Sequence, residues 1–345
     1  MRILFATGHS YPPDKVSGGA QSTHDLIVEL AAKGNATAVL CARDPKDARD
    51  DGVVRGEYGG YPVFRAPHPH VAIPGVIKEF QPDVAVVSVG LIHPIVVVLL
   101  RERIPTVVYF RDVEIRDYGG LFAPGPRMLY LANARFVAER MKTMLGLDCH
   151  YVPSVIDVDR YATETSRERA LFIGYHPYKG IEIAFQLAEH RPGIPFSFVE
   201  SWPIADAWRT YYRARANQAG NIECSRPVDD IRRLYSEARV SLVPSVWEEA
   251  SGRVVTEAQV SGIPVLASNR GGLPESVGPG GLVVDLDAPL DDWLAALDLM
   301  WEDEEEYARL CEAARLHARR PEIAPGKVAE TFLEIVGDFL TAWRK

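Results

Sequence analysis

The sequence predicts an α/β protein built on two doubly wound parallel sheets. Three observations lead there. Short apolar runs alternate with segments of helical spacing from Arg2 onward, and such alternation produces parallel strands with helices on both faces. The alternation comes as two series, separated by an irregular join near 150–168. A chain of 345 residues that is 47% hydrophobic has material for two cores, at roughly 100–200 residues per domain.

The first series opens with "RILFAT" (2–7), read as a strand, and a polar loop "GHSYPPDKVSGG" (8–19). "AQSTHDLIVELAAKG" (20–34) sets Leu26, Ile27, Leu30 and Ala31 along one helical face and stops at Gly34. "ATAVLCA" (36–42) is the next strand and completes a βαβ opening. "DVAVVSV" (83–89) and "IPTVVYF" (104–110) are further strands. The run "VAVVSVGLIHPIVVVLL" (84–100) is close to spanning length, but Ser88, Gly90, His93 and Pro94 interrupt it, so it reads as a buried strand, a turn and a helix start. A helix "ANARFVAERMKTMLG" (132–146) and "CHYVPSVID" (149–157) end this half.

The second series runs strand "ALFIGY" (170–175), helix "GIEIAFQLAEHR" (180–191), strand "PFSFVES" (195–201), helix "VDDIRRLYSEA" (228–238) and strand "RVSLVPS" (239–245). Then come helix "GRVVTEAQVSG" (252–262), strand "IPVLAS" (263–268), a short strand "GGLVVD" (280–285) and a long amphipathic helix "KVAETFLEIVGDFLTAW" (327–343). The acidic "EDEEE" (302–306) reads as a solvated helix start. Open parallel sheets bind ligands at the carboxyl ends of their strands, and two of them would face each other across an interdomain cleft.

Composition excludes several classes. A net charge of −9 argues against general nucleic-acid binding. Residues 1–155 hold 17 Lys and Arg against 16 Asp and Glu, whereas the remainder holds 21 against 31, so the N-terminal half is the better one to face an anionic acceptor or membrane surface. Cys41, Cys149, Cys224 and Cys311 are scattered and form neither a zinc set nor a disulfide framework, as expected of reduced thiols in the cytoplasm. "MRILFAT" is too short an apolar run for a signal peptide. The first strand is not followed by G-x-G-x-x-G, which weakens a dehydrogenase reading. Asp157-Val-Asp159 and Asp285-Leu-Asp287 lack further acidic support, so no metal site is expected.

The stretch "SVWEEASGRVVTEAQVSG" (245–262) carries the chemistry. It places a loop at a strand end and a helix start near Gly252 or Arg253, with Glu249 before that start and Glu257 about one turn inside. The helix start offers free N–H groups and positive dipole charge, a ready phosphate site. Small Ala250, Ser251 and Gly252 let a ligand approach the backbone. Carboxylates on both sides would accept hydrogen bonds from hydroxyls, which fits a ligand with phosphate in the middle and hydroxyl-rich rings at both ends, such as a nucleoside diphosphate sugar. The plainer alternative stays open: Glu248 and Glu249 favour a helix N-terminus, and Glu257 is a surface residue.

"VSLVPSVWEEASGRVVTEAQVSGIPVLASNRGGLPESV" resembles the signature region of family-four retaining glycosyltransferases of the GT-B fold, through Pro244-Ser245, Glu249, Gly252, Glu257-Ala258, Gly262-Ile263-Pro264-Val265, and Gly271-Gly272 with Glu275. "GGAQSTHDLIVELAAKG", "YVPSVIDVDRYA" and "FIGYHPYKGIEIA" echo other segments of that family. The resemblance implies an N-terminal acceptor-side domain (1–155), onto which a C-terminal helix at about 327–345 packs back, and a nucleotide-sugar-binding domain (156–326). It implies that Glu257 holds the donor ribose and Glu249 contacts the donor sugar. Backbone N–H groups of Ser251, Gly252, Arg253 and Val254 would meet phosphate or sugar oxygens, and Lys179 would neutralise the diphosphate. Arg226, Pro227 and Val228 would frame the nucleobase, and Gly18 and Gly19 would approach the donor phosphates.

The chain departs from the family pattern at Gln259 and Ser251, which differ from common choices, and more consequentially at two other places. Gly174-Tyr175 stands where Gly-Arg is usual, so one phosphate cation is missing and His176 is the substitute candidate. Arg111-Asp112 stands where His-Asp is usual; Arg111 can act electrostatically near the transferred sugar but is a poor proton carrier. The expectation is a cytoplasmic, metal-independent retaining glycosyltransferase without a cofactor, using a nucleotide sugar donor and an unidentified acceptor. The alternatives are a nucleotide-sugar epimerase of this fold and an inactive sugar-nucleotide-binding partner protein. The helix at 133–145, with Phe136, Met141, Met144 and Leu145 beside Arg135, Arg140 and Lys142, reads either as packed on its sheet or as a peripheral membrane contact.

Overall fold

The computed structural model describes residues 1–15, 17–44, 52–122, 125, 127–201 and 204–344. The chain divides into two compact units, residues 1–156 with 321–345, and residues 157–320.

In the first unit the elements are β1 (Arg2–Ser10), α1 (Gly18–Ala32), β2 (Ala36–Ala42), β3 (Val54–Tyr58), β4 (Tyr61–Ala66), α2 (Pro69–Phe80), β5 (Val84–Val87), α3 (Ile92–Arg101), β6 (Thr106–Phe110), β7 (Met128–Ala132), α4 (Arg135–Leu145) and β8 (His150–Tyr151). The eight strands lie in the order β3-β4-β2-β1-β5-β6-β7-β8. All neighbours are parallel except β3 and β4. The central strands are buried on both faces, which is why "VAVV" and "TVVYF" read as unbroken apolar runs rather than alternating ones. α1 begins where Ser17 caps it, its hydroxyl accepting from the Ala20 N–H at 3.3 Å.

The second unit holds α5 (Val158–Tyr161), β9 (Arg169–Ile173), α6 (Ile181–His190), β10 (Phe196–Val199), α7 (Asp206–Ala219), β11 (Ile222–Ser225), α8 (Arg232–Tyr235), β12 (Ala238–Val243), α9 (Arg253–Val260), β13 (Val265–Ser268), α10 (Leu273–Val277), β14 (Gly281–Val284), α11 (Leu290–Glu302) and α12 (Glu304–Ala318). Its six strands are all parallel, in the order β11-β10-β9-β12-β13-β14. Phe172, Phe185, Phe196 and Phe198 fill its core with edge-to-face ring contacts.

The chain then returns to the first unit through α13 (Pro325–Trp343). Val328, Phe332, Val336 and Leu340 of α13 join the core of β1 and α1, and Phe332 stacks on Phe5 at 6.4 Å between centroids. The return begins at Pro321, ahead of the expected 327, because a short turn at Pro321–Ile323 already buries Ile323 there. The chain leaves the first unit after Ile156.

Several elements differ from the sequence expectation. The β3–β4 hairpin was not expected, although Gly59-Gly60 between two tyrosines is a tight-turn signal; both glycines have positive φ, 57° and 84°. Residues 128–132 are a strand, so the helix expected from 132 begins at Arg135. The helix expected over 228–238 is the single turn α8. α2, α7, α11 and most of α12 were also not expected. On α4, Met141 is fully buried with Val137 against the sheet, so of the apolar residues weighed for a membrane surface only Met144 is strongly exposed. Among the described residues no helix is long and apolar enough to cross a membrane.

Candidate functional site

The chain reverses direction across the second sheet between β9 and β12: β10 and β11 lie to one side, β13 and β14 to the other. Such a switch point leaves a crevice at the carboxyl ends of the two strands. The loops that follow β9 and β12 are forced together here. A Cβ on Gly180, at φ +78°, would lie 1.8 Å from the Pro244 carbonyl oxygen, so only glycine fits. The loop after β13 clasps the other side: the Gly272 N–H donates to the Glu249 carbonyl at 2.7 Å, and a Cβ on Gly271 would fall 2.2 Å from that oxygen.

This packing brings Lys179 and Glu249 together. Lys179 Nζ donates to Glu249 Oε1 at 2.5 Å, and Ser245 Oγ donates to the same oxygen at 2.9 Å. Both charged side chains are under one-fifth exposed, 19% and 16%. Ser268 Oγ in turn donates to the Ser245 carbonyl at 2.6 Å, so the residue that orients Glu249 is itself fixed.

Glu257 belongs to a second cluster in the same unit. Arg253 Nε donates to Glu257 Oε1 at 2.7 Å, one helical turn along α9, and Arg253 Nη2 donates to the Tyr161 hydroxyl at 3.0 Å. The Arg253 and Glu257 side chains are 11% and 15% exposed, so Glu257 is not a surface carboxylate. Burial, and next the Glu257 charge, push the Tyr161 hydroxyl up to about 12. The same two causes raise the wholly buried Tyr235 well above the usual phenol value. Tyr161 is held on α9 by Ser261, whose hydroxyl donates to the Tyr161 carbonyl at 3.0 Å. Tyr161 and Tyr235 were missed in the sequence. Tyr161 lies in the expected join "YVPSVIDVDRYA", but nothing there signals that its hydroxyl meets Arg253.

Gly252 precedes α9 in the left-handed region, φ 59° and ψ 57°, and turns the chain so that the N–H groups of Arg253 and Val254 stand at the helix start. Ser276 Oγ donates to the Ser251 carbonyl and anchors that turn. Arg226 and Pro227 are exposed and Val228 half-buried at the carboxyl end of β11. His176 caps the turn at Pro177–Lys179, its Nδ1 accepting from the Tyr178 N–H at 3.2 Å. Partial burial, then Lys179, lower its pKa from the ordinary histidine value, so at neutral pH it is an uncharged ring rather than a fixed cation. Tyr175 points into the core, where its hydroxyl donates to Cys224 Sγ at 3.4 Å and its ring meets Tyr212.

The first unit has its own switch point, between β1 and β5. A pocket there is lined by Thr7, His9, Ser17, Gly19, Ser88 and Val89 among others. Gly18 and Gly19 form the first turn of α1 beside it; a Cβ on Gly18 would meet nothing within 4 Å and one on Gly19 only Val89 at 3.6 Å. The protein itself therefore does not require glycine at 18. Val89 is β-branched yet takes φ 50°, with its carbonyl accepting from Thr7 Oγ1 and the Gly8 N–H, each at 3.3 Å. That is a strained backbone at a crevice, costing about 1–3 kcal/mol. Arg111, at the end of β6, is buried with its guanidinium 4.1 Å from the Tyr109 ring centre. Burial raises the pKa of the neighbouring Asp112. Desolvation and then Lys15 lower that of His9, while Asp112 and Asp117 pull it the other way.

The two paired aspartates have local roles. Asp157 Oδ1 accepts from the Asp159 N–H at 3.1 Å and Asp285 Oδ1 from the Asp287 N–H at 3.2 Å, each closing a turn. Among the described residues no three His, Cys, Asp or Glu side chains gather as a metal ligand set.

Residues 171–317 match the family described as "Glycosyl transferases group 1", so both clusters of the second unit lie inside such a domain, Tyr161 excepted. The D-inositol 3-phosphate glycosyltransferase of Corynebacterium kroppenstedtii is 38% identical over 97 residues, which is 28% of this chain and 21% of that protein. The chain thus spans about a fifth of that relative. Spore coat protein SA of Bacillus subtilis is 24% identical across 97% of this chain and 99% of its own length. Two solved structures share the fold: sucrose-phosphate synthase from Thermosynechococcus elongatus, with a TM-score of 0.81 at 16% identity over 99% of each chain, and Anabaena HepE in complex with UDP-glucose, with a TM-score of 0.78 at 17% identity over 98% of this chain and 100% of that one. The architecture of two Rossmann-like units is that of GT-B glycosyltransferases.

Proposed function

We propose that this chain is a retaining glycosyltransferase that moves a sugar from a nucleotide-diphosphate sugar to an acceptor hydroxyl. The observation that carries the reading is the Lys179–Glu249 contact at the β9/β12 switch point, inside a group 1 glycosyl transferase domain. A cation and a carboxylate meet there beside the start of α9, where N–H groups and the helix dipole favour an anion.

In this reading the diphosphate rests against Lys179 and the first turn of α9. Glu257 accepts hydrogen bonds from the ribose and Glu249 from the transferred sugar. The bond from the anomeric carbon to the diphosphate oxygen breaks and its electron pair leaves with the diphosphate. The acceptor oxygen attacks the same face, and its proton passes to the departing phosphate oxygen. The charge that develops on the diphosphate meets Lys179 and oriented N–H groups, which is preorganised stabilisation, so the step calls for no metal ion. Arg226, Pro227 and Val228 border the nucleobase, and Gly18 and Gly19 offer backbone to the phosphates. UDP-glucose, the ligand of the Anabaena relative, is the first donor to test.

Thermal shift against UDP, GDP, TDP and ADP sugars identifies the donor, since a ligand at 100 times its Kd adds about 2.7 kcal/mol of stability. NMR of the product then reads the anomeric configuration. Inversion defeats the same-face step, and absence of any nucleotide binding defeats the whole reading.

A further inference from the structure

The loop after β1 is fastened by two side chains of β4. Tyr61 and Arg65 stand four positions apart and so share a face of that strand, which lies two places from β1 in the sheet. The Tyr61 hydroxyl bonds the Tyr11 hydroxyl at 2.8 Å. Arg65 Nη2 donates to the Pro12 carbonyl at 2.6 Å, and Arg65 Nε to Asp14 Oδ2 at 2.8 Å. Arg65 is only 9% exposed. A buried ion pair is often no more stabilising than apolar side chains of similar volume, so packing alone does not account for an arginine here. On β3 the small Gly56 leaves room for it: a Cβ there would lie 3.2 Å from Arg65 Nη1. The next residue after Asp14 is Lys15, close enough to His9 for its charge to lower that ring's pKa. Ser17, the cap of α1, follows.

The start of α1 suits an anion. Its first turn has no acidic residue. The Ser17 hydroxyl takes the Ala20 N–H and the Ser17 carbonyl takes the Gln21 N–H, which leaves the Gly18 and Gly19 N–H groups without an intrahelical acceptor. Ser88 lines the same pocket as His9, Ser17 and Gly19. It is 5% exposed, and its hydroxyl has no hydrogen-bond partner among the described residues. A buried hydroxyl of that kind calls for a partner from outside the chain.

We propose that Arg65 is a positioning residue for the donor diphosphate: by holding Pro12 and Asp14 it aims Lys15 and the N–H groups of Gly18 and Gly19 at one phosphate. This rests on the glycosyltransferase reading, in which those two glycines meet the donor. Arg65 acts through the loop. Its pairing also offsets the Asp14 charge, which would otherwise oppose an anion beside Lys15.

The full chain is titrated with UDP, GDP, TDP, ADP and inorganic pyrophosphate by calorimetry, and with the matching nucleosides by saturation-transfer NMR, which reads weak binding. Arg65→Gln and Asp14→Ala are expected to weaken pyrophosphate and the diphosphates that bind about five- to tenfold, the scale of oriented hydrogen bonds, with nucleoside binding held within about twofold. Asp14→Asn keeps an oxygen for Arg65 Nε and is expected to return affinity to within about threefold of wild type, charge assistance alone being lost. General loss of stability would give no such rescue. Lys15→Ala is expected to weaken the same ligands, and its loss combined with that of Arg65→Gln should fall short of the product of the two, because both act on one phosphate. Asp14 lies in an exposed loop, so its variants carry the test should melting curves show that Arg65→Gln unfolds. The proposal is overturned if these variants weaken nucleosides as much as diphosphates, or if they lower the melting temperature with diphosphate affinity unchanged. It is equally overturned if Asp14→Asn behaves as Asp14→Ala, or if the Lys15 and Arg65 losses multiply in full. Pyrophosphate binding with the stated dependence, and no nucleotide binding, refutes the transferase reading and not the role of Arg65; binding of neither refutes both.

Discussion

Lys179 and Glu249, 70 positions apart in the chain, meet at 2.5 Å because Gly180 lets the loop after β9 lie against Pro244. Sequence spacing gives no hint of this contact. It makes the lysine and the glutamate one electrostatic unit, in which each holds the other ready for a ligand of mixed charge.

Removing one member therefore has two separable effects. Lys179→Ala is expected to lower kcat/KM by about 10²–10³-fold, the loss typical of one preorganised charge-stabilising donor. It is expected to cost about 1–2 kcal/mol of stability, less than a fully buried pair because both side chains retain solvent contact. Glu249→Gln keeps an acceptor for Ser245 and is expected to lower turnover far more than donor affinity. Steady-state kinetics with titration calorimetry separates the two, and equal losses in turnover and affinity would refute the assignment.

Arg253 and Tyr161 hold the Glu257 carboxylate in place. If Glu257 reads the ribose, Glu257→Ala weakens nucleotide binding about 10- to 100-fold, as for loss of a charge-assisted hydrogen bond of about 1.5–3 kcal/mol. Tyr161→Phe, which removes only the anchor of Arg253, is expected to reduce the preference for a nucleoside diphosphate over its 2′-deoxy form. Measured dissociation constants for UDP and 2′-deoxy-UDP decide this. An unchanged ratio would assign the tyrosine to packing alone.

Gly180→Ala is expected to be among the most damaging single changes. Strain at φ +78° adds about 1–3 kcal/mol, and the Cβ would collide with the Pro244 backbone. Gly18→Ala is expected to behave oppositely. Its Cβ meets open space in the first turn of α1, so stability should hold or rise by up to about 1 kcal/mol, while donor binding weakens if phosphate approaches that backbone. Melting curves and titration of both variants provide the contrast. Undiminished affinity in Gly18→Ala would remove Gly18 from the site.

The lowered pKa of His176 sets a pH dependence. In the free protein the imidazole is neutral at pH 7 and takes up a proton only below the ordinary histidine value near 6.5. For folding, its contribution is full above about pH 6.5 and declines as pH falls through the lowered value. A bound diphosphate would favour the charged ring and raise its pKa, so donor affinity should increase between pH 7.5 and 6, with proton uptake on binding. His176→Gln is expected to flatten that slope. Calorimetry in buffers of different ionisation enthalpy measures the uptake, and no uptake would show that this ring does not face phosphate.

Much of the second sheet could be read from the chain because its strands are mostly apolar runs, β9 and β12 being stopped at once by Gly174 and Pro244, whereas β11, "IECS", is half polar and escaped. Gly252 before Arg253 marked the start of α9 for the same local reason. The β3–β4 hairpin escaped because β3 is exposed along most of its length and has no apolar pattern. The strand "MLYLA" was not read and its last residue was taken as the start of the following helix, since Ala132 and Ala134 suit a helix and the break at Asn133 is short. Glu249 and Glu257 were singled out from spacing and resemblance. Arg253 pairs with Glu257 one helical turn away and Ser245 with Glu249 four residues away, both local, whereas Lys179 and Tyr161 reach these groups only because distant segments meet in space.

The last helix, α13, has a bearing on biosynthesis. Val328, Phe332 and Val336 complete a core whose other half, on β1 and α1, leaves the ribosome some three hundred residues earlier. The second unit is continuous in sequence and can close while translation continues, but the first must wait, with its apolar surface uncovered, until the final turns emerge. A nascent chain stalled before Pro325 should thus hold a finished second unit and a first unit still dependent on chaperones.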